Sequence, residues 1–143
     1  MGLLMGVMAV SLVGPVVSAA GTPALQIEQA WARQVPGSDV AAVYLTLRNT
    51  GDKPVSVVAI ESPLASSAMI HQTKIESGMS RMRPQSALVV QPGQAVKLAP
   101  GAIHIMLMDV RPLTTGEIVP LVLKLADGSS VKVDAMVRPL TAP

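Results

Sequence analysis

The residues of this sequence that could do chemistry are two histidines, His71 and His104, and several of the nine methionines. Cysteine is absent. The sequence therefore predicts no disulfide, zinc–thiolate site, iron–sulfur cluster, blue-copper centre, thiol nucleophile or acyl-cysteine anchor. Any metal chemistry in these residues has to use imidazole, thioether or carboxylate donors.

One group of candidate donors lies in the segment 103–108, which reads Ile-His-Ile-Met-Leu-Met. Side chains alternate between the two faces of a strand, so the aliphatic residues face one side and His104, Met106 and Met108 face the other. The aliphatic side is predicted to be core. His104 and Met106 then lie about 7 Å apart along the strand and can converge on one atom.

A second group flanks a predicted hairpin that turns near Ser77 and Gly78. His71 precedes the turn and Met82 follows it. Depending on the bulge at Gly78, the two residues fall directly opposite or diagonally across the strands, with roughly 5 to 8 Å between their Cβ atoms. Either arrangement is within chelating range.

Two imidazoles and two thioethers form a soft nitrogen and sulfur donor set, which suits Cu(I). Thioethers are poor ligands for Cu(II), so the set favours holding copper in its reduced state. The alternative is that the methionines fill a core that lacks phenylalanine, while each histidine makes ordinary hydrogen bonds. That alternative is the usual one for a single residue, and the grouping of all four favours the metal site.

The elements that position these residues are short β-branched segments separated by turns. No stretch has a sustained helical period, and the pattern predicts an all-β antiparallel sandwich or Greek-key barrel. Half the residues are apolar, and we expect the only large aromatics, Trp31 and Tyr44, to anchor the core. The predicted strands are 27–33, 40–49, 55–61, 68–74, 79–82, 88–90, 95–98, 103–110, 118–125 and 131–137.

The N-terminal residues have the composition of a secretory signal peptide. Residues 2–17 are almost wholly apolar and small residues follow them. We expect residues 1–20 to be a signal peptide, cleaved after Ala19 or Ala20, and residues 21–143 to form a single copper-binding β-domain. The alternative, an uncleaved membrane anchor, is disfavoured because the apolar run is short for a span.

The charge pattern bears on possible partners. The net charge is +2, and the 11 lysines and arginines are scattered along the chain. Nucleic acid is therefore disfavoured as a partner, because a phosphate-binding face needs concentrated charge and a single-strand binder needs aromatic stacking surfaces. We expect no membrane association beyond the signal peptide.

The spacing of the four candidate donors is specific. Ten residues separate His71 from Met82, twenty-one separate Met82 from His104, and one separates His104 from Met106. This spacing resembles that of the PCu(A)C-type periplasmic copper chaperones. The surrounding segments at residues 30–33, 41–49, 82–84, 104–108 and 111–113 look like that family as well, and the resemblance covers roughly residues 25–137.

The resemblance implies a cupredoxin-like β-barrel in which His71, Met82, His104 and Met106 hold Cu(I). It also implies a periplasmic copper chaperone, which delivers copper toward the dinuclear copper centre of cytochrome c oxidase subunit II alongside a thiol-bearing copper partner. Gln72 departs from many members of the family, which carry Glu or Met after the first histidine. A methionine at that position could supply an extra sulfur ligand, which glutamine cannot. The four ligands His71, Met82, His104 and Met106 are not affected by this difference.

Three other functions stay open at this point. A metal-dependent enzyme is disfavoured, because the donor segments contain no well-placed carboxylate for acid–base work and no thiol. A metal-free adhesion or assembly domain would make the donors incidental. A general copper-homeostasis or storage protein is the third alternative.

Four further residues near the candidate donors have open roles. Met79 and Met108 either accept the ion during transfer or simply pack. Met69 is expected to pack, because alternation places it on the face of His71 only at a strand end. Arg83 either orients a ligand or a partner's carboxylate, or is a solvated surface residue.

Overall fold

A computed structural model describes residues 24–139. The predicted signal peptide at residues 1–20 lies outside this part. The ten strands are β1 (Leu25–Gln34), β2 (Ala41–Asn49), β3 (Val55–Glu61), β4 (Ser67–Glu76), β5 (Met79–Gln85), β6 (Leu88–Val90), β7 (Ala95–Lys97), β8 (Ile103–Met108), β9 (Ile118–Leu125) and β10 (Ser130–Val137). Each corresponds to a predicted segment, with bounds that differ by up to three residues.

The end of β8 departs from the prediction for a local reason. The strand stops at Met108 instead of Val110, because Asp109 adopts a left-handed backbone conformation with φ of 54°. An aspartate tolerates this conformation better than most residues, and it breaks the extended path of the chain. The side chain of Ser66 donates a hydrogen bond to Asp109 at this point.

The strands form one mixed sheet in the order β5-β4-β8-β2-β1-β10-β9-β3-β6, and β7 also pairs with β2. The all-β fold is confirmed, with one addition to the antiparallel prediction: β1 and β10 run parallel. Parallel pairing needs a long connection, and nearly the whole chain separates these two strands. Within residues 24–139, no helix is long and apolar enough to cross a membrane.

The core is aliphatic, as the composition indicates. The sheet curls so that β3 contacts β4 and β6 approaches β2, which brings the inward-facing side chains of the two halves together. Ile105 and Leu107 of β8 are buried there, so the core side predicted for that strand is confirmed. The largest fully buried aliphatic side chains are Leu25, Leu45, Leu47, Ile105, Leu107, Leu121, Leu123, Val43, Val57, Val90 and Val119.

Tyr44 and Trp31 do not lie in this aliphatic core. Val43 and Leu45 belong to the core cluster, so alternation along β2 places Tyr44 between them on the outer face. Tyr44 is buried there beneath Trp31, its partner across β1 and β2, with 4.6 Å between the ring centroids. The two aromatics therefore cover the outer face of the sheet, on the same side as His104.

Candidate metal centre

The turn between β4 and β5 sets the position of Met82. Ser77 and Gly78 form a two-residue turn in which both φ values are positive, at 52° and 76°, as hairpins of type I′ require. The turn pairs Glu76 with Met79 and leaves no bulge, so Met82 lies opposite Thr73. His71 and Met82 are therefore diagonal neighbours, the second of the two predicted arrangements.

The pairing of β4 with β8 brings the histidines together. His71 lies directly opposite His104, and their ring centroids are 5.9 Å apart in an edge-to-face arrangement. Two residues further along, Met69 lies directly opposite Met106. The outer face of these two strands thus presents one pair of imidazoles beside one pair of thioethers.

The hairpin closes a cavity over this face. Met82, His104 and Met106 line one surface cavity together with Arg33 and Tyr44. The four residues singled out in the sequence are thereby brought to one place: three line the cavity, and His71 contacts the ring of His104.

The orientation of His104 is fixed by its backbone surroundings. His104 is only 4% exposed, and its Nδ1–H donates a hydrogen bond to the carbonyl oxygen of Ala102 at 3.2 Å. The same carbonyl accepts the backbone N–H of Thr73 at 3.2 Å, which ties β4 to the start of β8. Because Nδ1 carries the proton, the lone pair of the neutral ring is on Nε2 and available to an electrophile or metal ion.

The ring of His71, in contrast to that of His104, is not held by a hydrogen bond at Nδ1. Its Nδ1 is buried and has no hydrogen-bond partner among residues 24–139. Desolvation, followed by repulsion from His104, lowers the pKa of His71 below the usual 6.5, so its ring stays neutral at physiological pH. A buried polar atom without a partner calls for an explanation, and an ion bound there would supply one.

The exposure of the thioethers separates them into two kinds. Met106 and Met108 of β8 are half-buried, whereas Met82 is 61% exposed on the hairpin. Met108 lies opposite Ser67, at the far end of β4 from the turn. Met79 is exposed and lies beside the turn, away from the paired imidazoles.

The outer face continues beyond His104 as a row of stacked rings and cations. Tyr44 lies 6.4 Å from His104 between ring centroids, and Trp31 lies on Tyr44. The guanidinium of Arg33 lies 5.5 Å from the centroid of Tyr44, and that of Arg138 lies 5.2 Å from Trp31. These contacts hold Tyr44 against His104 and limit the movement of the imidazole.

Arg83 belongs to the hairpin surface. Its Nη2 donates a hydrogen bond to Oε2 of Glu76 at 2.8 Å, and Arg83 is exposed whereas Glu76 is half-buried. This favours the interpretation of Arg83 as a solvated surface residue that supports the hairpin. A surface ion pair of this kind contributes at most about 1 kcal/mol to stability.

Carboxylates do not contribute to the site. Among residues 24–139, no three His, Cys, Asp or Glu side chains are grouped closely enough to hold a metal ion. The donors that accompany the two imidazoles are therefore thioethers, which makes the arrangement suitable for a soft ion and unsuitable for Mg²⁺ or Ca²⁺.

Met69 is the residue that the sequence argument undervalued. The expectation that Met69 lies at a strand end is wrong, because β4 begins at Ser67, and at 38% exposure its side chain is only partly packed. The missing information was where β4 begins, because a start at Ser67 puts Met69 and His71 on one face well within the strand.

Solved structures share this fold. The copper-bound PCuAC domain from PmoF2 aligns with 82% of this chain and 95% of its own length, at a TM-score of 0.69 and 23% identity. The Cu(I) form of DR1885 from Deinococcus radiodurans is 32% identical, with a TM-score of 0.61 over 89% of this chain and 88% of its own. The architecture is the cupredoxin-like β-sandwich of PCuAC domains.

The family follows from the sequence comparison. Residues 25–137 match the family described as "Putative lipoprotein LpqE-like", and the chain belongs to this family. A curated relative, "Putative lipoprotein Lxx21020" from Leifsonia xyli subsp. xyli (strain CTCB07), is 34% identical over 116 residues, which are 80% of this chain and 69% of the relative. The 143 residues contain no cysteine, the residue that carries the lipid of a bacterial lipoprotein.

Proposed function

We propose that this protein is a copper chaperone that binds one Cu(I) ion through His71, Met82, His104 and Met106. The observation that carries the proposal is the convergence of these donors: Met82, His104 and Met106 line one cavity, and His71 lies against His104. The protein is a carrier and not an enzyme. The Cu(I) form of DR1885, which is 32% identical, supports the proposal, and the copper-bound PCuAC domain from PmoF2 shares the fold.

The donor chemistry favours the reduced ion. Cu(I) has a filled d shell and accepts imidazole and thioether in low-coordinate or tetrahedral arrangements. Nε2 of His104 carries a lone pair, and Nδ1 of His71 is a buried atom that an ion would satisfy. Met82 is largely exposed, so one side of the ion remains accessible to an acceptor.

We extend the proposal to the place of action and the acceptor. The lipoprotein descriptions of the family and of the curated relative support an exported cell-envelope protein, and the expected signal peptide agrees with them. We propose the periplasm as the compartment. The acceptor we propose is the dinuclear copper centre of cytochrome c oxidase subunit II, which the protein would supply together with a thiol-bearing copper partner. The resemblance of the donor spacing to that of the copper chaperones supports this acceptor.

The test is a titration of the purified mature protein with Cu(I) against a competing chelator under reducing conditions. We expect one equivalent to bind, and X-ray absorption to report mixed nitrogen and sulfur neighbours. His71→Ala is the variant of choice, because it removes one donor from a half-buried position. If the protein does not bind Cu(I), or if the bound copper has only nitrogen and oxygen neighbours, a metal-free adhesion domain becomes the better explanation.

The histidine pair predicts how binding depends on pH. An imidazole must be neutral to bind copper, whereas a thioether does not titrate. The pKa of His71 lies below the usual 6.5, so protonation competes only in acid, and Cu(I) affinity should fall below about pH 6 without disappearing. Chelator competition from pH 7.5 to 4 measures this, and a flat profile would exclude the histidines as ligands.

Met108 provides a prediction of a small effect. It shares the face of Met106 but lies opposite Ser67, two residues further from the imidazoles. Met108→Leu should leave Cu(I) affinity within a few-fold of the parent, because leucine conserves the volume and the four donors are retained. The same chelator titration measures it, and a large loss would make Met108 a primary ligand.

A further inference from the structure

Two methionines face each other beside the paired histidines. Met69 on β4 lies directly opposite Met106 on β8, in the same register that places His71 opposite His104. Directly opposite residues of an antiparallel pair have Cβ atoms about 4.5 to 5.5 Å apart. Two flexible thioethers at this separation can bind one soft ion between them.

The methionine pair is more exposed than His104. His104 is 4% exposed, Met106 is half-buried, and Met69 is 38% exposed. In addition, β5 pairs with β4 only from Ile70 onward, so the hairpin partner strand stops short of Met69. A ligand from another protein can therefore reach Met69 without opening the hairpin.

We propose that Met69 and Met106 form a two-sulfur port through which Cu(I) enters and leaves the site. Met69 then receives the ion during transfer and is not part of the set of four that holds it at rest. This inference rests on the proposed copper-carrier function. An ion held by two neutral thioethers is bound more weakly than one held by the imidazole pair, so at the port it is available to a stronger acceptor such as a thiolate.

The first test follows the methionine methyl groups by NMR. The full chain is labelled with ¹³C at the methyl of methionine and titrated with Ag(I), a soft and diamagnetic substitute for Cu(I). We expect the signals of Met69 and Met106 to shift with the first equivalent. Met136, which is 50% exposed on β10 and is separated from His104 by Trp31 and Tyr44, serves as the control for non-specific binding and should shift much less than Met69 and Met106.

The outcomes distinguish the port from the carrier function. Shifts of Met82 and Met106 with an unchanged Met69 would overturn the port and retain the carrier function. No shift at any methionine of the site would overturn both.

The second test measures transfer. Cu(I)-loaded protein is mixed with bicinchoninate under reducing conditions, and the rate of release is compared for Met69→Leu and Met136→Leu. Leucine keeps the volume of methionine but donates nothing to copper, so Met69→Leu should release the ion several-fold more slowly. Equal rates in the two variants would overturn the port.

Discussion

Replacing His104 with alanine is expected to abolish tight Cu(I) binding, with a loss of affinity of more than about 100-fold. Removing a residue that only orients a metal ligand typically costs about 10 to 100-fold, so removing the best-ordered ligand should cost more. His104 is that ligand, because its Nδ1–H is fixed on the carbonyl of Ala102 and its ring is held by Tyr44.

The measurement combines chelator competition with the emission of the single tryptophan. Trp31 lies on Tyr44, which contacts His104, so copper bound at His104 should change Trp31 fluorescence in the parent and not in His104→Ala. Gln72→Ala, next to His71 but outside the donor set, is the control and should bind like the parent. Unchanged affinity in a folded His104→Ala protein would remove His104 from the site.

The sequence was sufficient for the strands because their signals are local. Each run of β-branched residues ends at a turn residue, and all ten runs form strands among residues 24–139. The grouping of His104 with Met106 was also predictable, because alternation within one strand does not depend on the rest of the fold. Both lie on the outer face, and they line one cavity.

Features that depend on pairing between strands are harder to predict from the sequence. A bulge of one residue in the turn would change which residue of β4 lies opposite Met82. The backbone conformations of Ser77 and Gly78 and the register of the hairpin show that there is no bulge. The pairing of Met69 with Met106 depends on the register of β4 against β8, which are separated by 26 residues of chain between Glu76 and Ile103. Register over such a distance is set by the whole sheet.

Tyr44 shows a different limit of prediction from the sequence. Among residues 24–139, the clustered core residues include no methionine and no large aromatic, although both types were candidates to fill the core. Large aromatics are usually assigned to cores because of the area they bury. Here alternation along β2 places Tyr44 on the face of His104, where it buries its area against the site.

Oxidation of the metal-free protein is expected to destroy Cu(I) binding while the fold persists. Sulfoxide formation replaces a soft sulfur donor with a polar oxygen donor, whereas imidazoles are unaffected by mild peroxide. Met82 is 61% exposed and should react first, with half-buried Met106 following. The β-sheet circular dichroism should be retained, because the clustered core residues of the described chain include no methionine.

Metal protection makes this prediction specific to the site. Bound Ag(I) occupies the sulfur lone pairs that peroxide attacks, so it should shield Met82 and Met106 in peptide mapping. Met79 and Met136 have exposures of 60% and 50% and lie away from the paired imidazoles, so they should oxidise equally with and without the ion. Because these controls are similar to Met82 in exposure, protection of Met82 and Met106 that leaves Met79 and Met136 unprotected indicates coordination. If instead Met82 and Met106 react at the same rate with and without Ag(I), they are not ligands, and the metal-free β-domain becomes the better account of this protein.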